Sequence, residues 1–259
     1  MRFARVDHKG KEQYAVVENN CVCFVTGDIF TDWQYTGEKL PLDAVKLLAP
    51  VKPETVLCIG RNYKAHAEEC GNDLPKAPML FIKANSSVCG QKSKVAILPE
   101  YTQKVDYESE LAVIIGKTAK SVPEEKALEY VFGFTCANDI SARDCQYADG
   151  QWARGKSFDN FCPLGPWIET GLDPSDLEIT GRRNGKVVQH SRTSLMIFSV
   201  SYLISYLSRT MTLLPGTVIL TGTPSGVING QKESPCWLEA GEEFEVEISG
   251  IGVLRSTFV

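Results

Sequence analysis

The sequence predicts an α+β fold that is rich in β structure. Short apolar runs bounded by Gly, Pro and Asn outnumber the helical patterns. The two kinds of segment do not alternate regularly, as a doubly wound sheet would require. The closing segment 241–248 also alternates, with Phe244, Val246 and Ile248 on one side.

In chain order, residues 1–50 read as short strands joined by turns, such as 13–17, a turn at Asn19-Asn20, and 21–25. Residues 42–48 suit a short helix. Pro50 and Pro53 mark a boundary, dividing the chain into a small β-rich unit, 1–52, and a larger one, 53–259. Residues 56–59 form a buried strand ending at Gly60, and 63–69 suit a short helix. The Gly-, Asn- and Pro-containing stretch 71–78 is a loop, followed by a strand at 79–83. The unbroken apolar run 111–115 is a strand closed by Gly116. Ser121 and Pro123 open a helix over 123–130, and 131–137 is a strand. Val200, Leu203, Ile204 and Leu207 follow the i, i+3, i+4, i+7 pattern of an amphipathic helix. A turn at Pro215-Gly216 leads into a strand at 217–220.

A chain of 259 residues can bury a large core without disulfides. Its net charge of -5 argues against nucleic acid or an anionic membrane as the main partner. The nine cysteines are odd in number and contain no Cys-x-x-Cys pair. Reduced thiols in a cytoplasmic protein are therefore expected, rather than a disulfide framework or a zinc site. Cys21 and Cys23 share a strand face, with nothing else to support metal there. Residues 1–13 lack the apolar core of a signal peptide. The apolar stretch 195–207 is too short for a membrane span and is broken by three serines.

Asp106-Tyr107-Glu108-Ser109-Glu110 runs directly into the apolar strand at 111–115. On a strand, Glu108 and Glu110 point to one face, with backbones roughly 7 Å apart. Their repulsion is relieved by water, by basic neighbours or by a cation. A solvated strand end is the plain alternative. Asp139 follows a second apolar strand, however, and three carboxylates without a His or Cys cluster suit a hard cation such as Mg²⁺, with Mn²⁺ or Ca²⁺ as substitutes.

His66 and Glu69 are i, i+3 neighbours if their segment is helical. They form either a surface pair or an imidazole oriented by a carboxylate for proton transfer. Lys156, in Gly155-Lys156-Ser157-Phe158-Asp159, is either a surface turn residue or a cation beside a developing enolate. Arg143 either pairs with Asp139 at i, i+4 or offers its fork to a substrate carboxylate. Thr221-Gly222-Thr223-Pro224-Ser225-Gly226 is either a tight turn or a loop that holds an anion. It lacks the Gly-Lys-Ser/Thr of a nucleotide-binding loop.

Five segments in this order resemble the fumarylacetoacetate hydrolase family. They are Gly60-Arg61-Asn62-Tyr63 with His66 and Glu69, Asp106-x-Glu108-x-Glu110, Asn138-Asp139-Ile140-Ser141-Ala142-Arg143-Asp144, Gly155-Lys156-Ser157-Phe158-Asp159, and Leu220-Thr221-Gly222-Thr223-Pro224. The resemblance covers roughly residues 55–259. It implies a mixed β-sandwich roll, a homodimer, and Mg²⁺ or a similar ion on Glu108, Glu110 and Asp139. It further implies substrate contacts from Lys156, Arg143, Gln146 and Thr223. His66 and Glu69 match the dyad of acylpyruvate hydrolases and oxaloacetate decarboxylases, on a segment that acts as a lid.

The activity so implied is C–C hydrolysis of an acylpyruvate, a small 2-oxo acid, through a metal-stabilised enolate. Oxaloacetate decarboxylation or tautomerisation, and isomerisation of a 2-hydroxy-dienedioate from aromatic catabolism, use the same core. A catalytically idle ligand-binding member is the reading from another class.

Overall fold

The computed structural model describes residues 1–259. Its central element is the strand Ser109–Ile115, all seven residues of which are buried. Side chains alternate across a strand, so each of its faces feeds a different core. Leu111, Val113 and Ile115 pack with Phe244, Val246 and Ile248 in the larger core. Ala112 and Ile114 pack with Val56, Cys58 and Val218 in the second. A strand covered on both faces needs an unbroken apolar run, which explains the pattern at 111–115.

This strand lies within a large mixed sheet. It pairs antiparallel with Val131–Asn138 on one side and with Val218–Leu220 on the other. Val218–Leu220 in turn pairs parallel with Val56–Gly60, which pairs antiparallel with Met79–Lys83. Beyond Val131–Asn138 comes Cys162–Glu169. A five-stranded second sheet, containing Glu178–Arg183, Glu243–Ile248 and Gly252–Phe258, packs across the larger core. The result is the β-rich mixed architecture expected from the sequence, with four short helices: α1 (Lys64–Glu69), α2 (Arg143–Ala148), α3 (Ala153–Lys156) and α4 (Val200–Thr210). The α4 helix is capped by Ser199, whose hydroxyl accepts from the Tyr202 amide at 3.1 Å, and it buries Val200, Leu203, Ile204 and Leu207.

The first four strands, Arg2–His8, Lys11–Glu18, Cys21–Gly27 and Trp33–Pro41, extend the large sheet. Arg2–His8 pairs with Cys162–Glu169, Phe3 opposite Ile168. One face of this extension has its own small core around Val6, Val22 and Phe24, while Phe3, Val16 and Val25 join the core beneath the central strand.

Two expected helices differ. Residues 42–48 make one 3-10 turn, Leu42–Ala44, after which Lys46–Leu47 pairs with Arg2–His8. β-Branched Val45 is extended there and stops propagation. The segment at 123–130 is a 3-10 helix, Glu124–Tyr130, which buries only Ala127 and so lacks the apolar stripe that would hold an α-helix. No helix is long and apolar enough to cross a membrane. All nine cysteines are free, and Cys58, Cys89, Cys136, Cys145 and Cys162 are buried.

Candidate active site

Strand pairing brings the three carboxylates together. Ser109 lies opposite Asn138 and Glu110 opposite Ala137, so the residues just outside the ladder, Glu108 and Asp139, become neighbours. The Asp139 amide donates to the Glu108 carbonyl at 2.9 Å. The strand begins at Ser109, so Glu108 lies outside the ladder and does not share its pleat with Glu110 as expected. Instead its amide is held by Asn138 Oδ1 at 3.0 Å. The carboxylates still converge: one oxygen from each of Glu108, Glu110 and Asp139 lies within 4.8 Å of the others, and all three residues are buried.

Buried charge of this density requires compensation. Lys156 Nζ lies 2.6 Å from both Glu108 Oε2 and Asp139 Oδ2. Lys83 Nζ lies 2.6 Å from Asp139 Oδ1. Arg143 reaches Glu108 Oε1 at 2.6 Å through Nη2 and Asp106 Oδ2 at 2.8 Å through Nε. Burial pushes the Glu108 carboxyl up, but the charges of Lys156, Arg143 and His66 outweigh it and hold the group ionised. Burial likewise works against the Lys156 ammonium, and Asp139 and Glu108 outweigh it.

Glu110 differs from the other two. Its Oε2 accepts the Gly222 amide at 2.7 Å, but no Lys or Arg pairs with it. Burial first, and then the negative charges of Asp139 and Glu108, raise its carboxyl well above the usual range. A buried carboxyl repelled by two neighbours and lacking a cation of its own fits a site for a divalent ion. Each carboxylate oxygen already engaged by a cation also retains a second lone pair.

The expected Asp139–Arg143 pair does not form. Asp139 precedes the strand Ser141–Ala142 and Arg143 opens α2, so the four-residue spacing never becomes a helical turn. Arg143 turns to Asp106 and Glu108 instead, and its Nη1 donates to Gln146 Oε1 at 3.1 Å. Asp106 also binds the loop above: Oδ1 accepts the Ile228 amide at 2.9 Å and Oδ2 the Asn229 amide at 3.0 Å.

The second cluster borders the same cleft. His66 Nδ1 lies 2.8 Å from Glu69 Oε1, and the Gly226 amide donates to Glu69 Oε2 at 2.9 Å. Burial lowers the imidazole's basicity. Contacts with Cys70 and Glu69 and the charge of Glu108 more than offset this, raising its pKa to about 9. His66, Lys156, Arg143, Gln146 and Thr223 line one cleft with the three carboxylates, roughly 510 Å³ counted with its mouth. That polar, charged lining suits a small charged ligand.

Close packing sets the position of Lys156. A Cβ on Gly155 would fall 2.6 Å from the Gln146 amide nitrogen, so only glycine lets α3 approach α2 closely enough to bury the next side chain. The loop at 221–226 takes a carboxyl group from within the protein, because the Gly222 amide donates to Glu110. Thr223 Oγ1 donates to the Ser109 carbonyl at 3.0 Å and accepts from Gln189 Nε2 at 2.9 Å.

Sequence reasoning missed Lys83, Asp106 and Cys70. Lys83 did carry a trace, as a single cation ending the apolar run Met79-Leu80-Phe81-Ile82. Asp106 stands in the same motif as Glu108, and nothing in its spacing marks its contacts with Arg143 and the Ile228 and Asn229 amides.

Comparison with known proteins agrees with this geometry. A family model described as fumarylacetoacetate (FAA) hydrolase C-terminal matches residues 55–259, and one described as Rv2993c-like, N-terminal matches residues 1–50. The human oxaloacetate tautomerase FAHD2A, mitochondrial, is 45% identical over 226 residues, covering 85% of this chain and 71% of its own. The crystal structure of a 5-carboxymethyl-2-hydroxymuconate delta-isomerase from Mycobacterium smegmatis is 39% identical. It superposes with a TM-score of 0.91 over 100% of this chain and 99% of that one. A fumarylacetoacetate hydrolase from Exiguobacterium antarcticum is 37% identical, also with a TM-score of 0.91, over the same shares of the two chains.

Proposed function

The chain belongs to the fumarylacetoacetate hydrolase family, and from that premise we propose that it moves a proton between carbon and oxygen on a small 2-oxo acid. Enol–keto conversion of an oxaloacetate-like dicarboxylate is the reaction the site supports best. The observation that carries this reading is the His66–Glu69 pair at 2.8 Å, bordering the same cleft as the three buried carboxylates. It is a proton-transfer group facing a site for a chelated oxo acid.

Glu108, Glu110 and Asp139 would hold a divalent cation, with Mg²⁺ as the first choice and Mn²⁺ or Ca²⁺ as substitutes. When bound, the cation supplies Lewis acidity that favours the enolate form of a 2-oxo carboxylate. Lys156 sets an ammonium beside the oxygen that gathers charge. With its raised pKa, His66 is an imidazolium at neutral pH and delivers a proton to C3 in the ketonising direction, the enol proton having gone to solvent. In the reverse direction the neutral ring removes that proton. Glu69 fixes the ring orientation. Gln146 and Thr223 lie where the rest of the substrate would sit, and Arg143 anchors Glu108 at the same wall.

Relatives named as a tautomerase and as an isomerase favour this reading over C–C hydrolysis. Hydrolysis of an acylpyruvate remains the second reading, favoured by the structural likeness to a fumarylacetoacetate hydrolase. In that case His66 would activate water. One experiment separates them. Freshly dissolved enol-oxaloacetate and an acylpyruvate are each mixed with enzyme and Mg²⁺, and enol absorbance, pyruvate and CO₂ are followed together. Rapid loss of the enol signal with no pyruvate or CO₂ is expected. Ketonisation at the uncatalysed rate would overturn the proposal.

A further inference from the structure

The proposed reaction gives no task to Cys70, which follows α1 at the edge of the cleft. Its Sγ lies 3.9 Å from His66 Nδ1 and 3.8 Å from Asn229 Nδ2. Glu69 Oε1 approaches the same His66 nitrogen at 2.8 Å. One donor atom from each of His66, Glu69 and Cys70 lies within 4.8 Å of the other two. The i, i+3, i+4 spacing places all three on one face of a helical turn.

We propose that His66, Glu69 and Cys70 form a second metal site, selective for Zn²⁺ or a similar borderline-soft ion, whose occupancy switches the enzyme off. Ligand bonds of about 2.0–2.3 Å to a tetrahedral ion set N, O and S donors roughly 3.3–3.6 Å apart. The observed separations of 2.8 and 3.9 Å from His66 Nδ1 bracket that range to about half an ångström, and Glu69 and Cys70 offer donors within 4.8 Å of each other. Nitrogen, carboxylate and thiolate donors suit zinc, whereas the all-oxygen set of Glu108, Glu110 and Asp139 suits magnesium, so the two sites sort cations by donor chemistry. Three protein ligands leave a fourth position for water. The Gly226 amide on Glu69 Oε2 supplies the outer hydrogen bond that orients a ligating carboxylate.

The switch follows from the imidazole. Zinc on Nδ1 takes that nitrogen's lone pair and leaves the ring's one proton on Nε2. The ring can then no longer become the imidazolium donor, its remaining Nε2 proton is a far weaker acid, it has no lone pair to take a proton from C3, and its bond to Glu69 is replaced by metal. This regulatory half rests on the role given to His66 above, whereas the binding half does not.

The test uses the 259-residue chain saturated with Mg²⁺. Added Co²⁺ should give a near-ultraviolet sulfur-to-cobalt charge-transfer band that is absent in Cys70→Ala. Zn²⁺ should inhibit enol–keto conversion by the wild type, and Cys70→Ala, each variant being compared with its own zinc-free rate, should need about tenfold more Zn²⁺ or beyond. Cys70→Ser checks that any loss follows the thiolate and not the packing. No charge-transfer band, or the same band in Cys70→Ala, overturns the site. Equal zinc sensitivity in wild type and Cys70→Ala overturns the switch and places inhibition at the carboxylates. A Cys70-dependent band with zinc-insensitive activity leaves the site standing and refutes the role of His66.

Discussion

Lys83 Nζ lies 2.6 Å from Asp139 Oδ1, and both side chains are fully shielded from water. The lysine ends an apolar strand and pairs, 56 residues away, with an acid of the proposed metal site. Without Lys83, Asp139 would share the single Lys156 ammonium with Glu108, leaving buried charge only partly matched, and loss of a buried partner costs up to about 3–5 kcal/mol. Lys83→Met should therefore lower the stability of metal-free protein by that order. It should also remove a cation that competes with the metal for Asp139. The destabilisation should shrink when Mg²⁺ is added, as measured by denaturant unfolding with and without the ion.

Replacing Glu108 and Glu110 together with glutamine should abolish Mg²⁺ binding and activity on every 2-oxo acid. Calorimetric titration with Mg²⁺ is the direct check. Retained binding would mean that the three carboxylates are only a charged structural cluster.

Glu110 adds a pH dependence to that binding. Its carboxyl is raised well above the usual range by burial and by Asp139 and Glu108, so the metal-free protein holds a proton that the ion must displace. Mg²⁺ affinity should rise as pH climbs above the ordinary glutamate range, with proton release visible as a buffer-dependent heat. Stability has the opposite sign in the metal-free state: it is fullest below the ordinary glutamate value and declines as pH rises toward the folded one. Thermal shift by Mg²⁺ should accordingly be largest at the alkaline end.

His66 should set the alkaline limb of activity. With its pKa raised to about 9, the imidazolium donor persists through neutrality, and ketonisation should fall about tenfold per pH unit above that value. The pair's contribution to stability is complete below the ordinary imidazole value of 6.5 and is lost as pH rises through about 9. Glu69→Gln should move the limb toward lower pH. An unmoved limb would remove His66 from the titration.

His66→Ala should reduce turnover by about 10²–10⁴-fold while leaving Mg²⁺-dependent binding of oxalate, a mimic of the pyruvate enolate, within a few-fold of wild type. Loss of both together would instead place the histidine in ligand binding.

The β-rich class, most strands and α4 were legible because apolar runs and periodicity report burial directly. The three carboxylates were legible as residues, since each flanks an apolar strand. Their compensation was not. Lys83 meets Asp139, and Asp106 joins Arg143 to the Ile228 and Asn229 amides, through contacts that exist only once distant strands pair. Spacing also misled where local helix was assumed. Asp139 and Arg143 are four apart, yet an intervening strand separates them, whereas His66 and Glu69 meet because α1 does form.

The pairing of Arg2–His8 with Cys162–Glu169 has a consequence of its own. Cys162–Glu169 pairs with Val131–Asn138, the strand that leads into Asp139, and without Arg2–His8 its Ile168–Glu169 end would be a bare margin. The leading strands therefore guard that margin against stray chains and self-association. A truncation beginning at residue 53 would keep every proposed catalytic side chain and still be prone to sticking edge to edge.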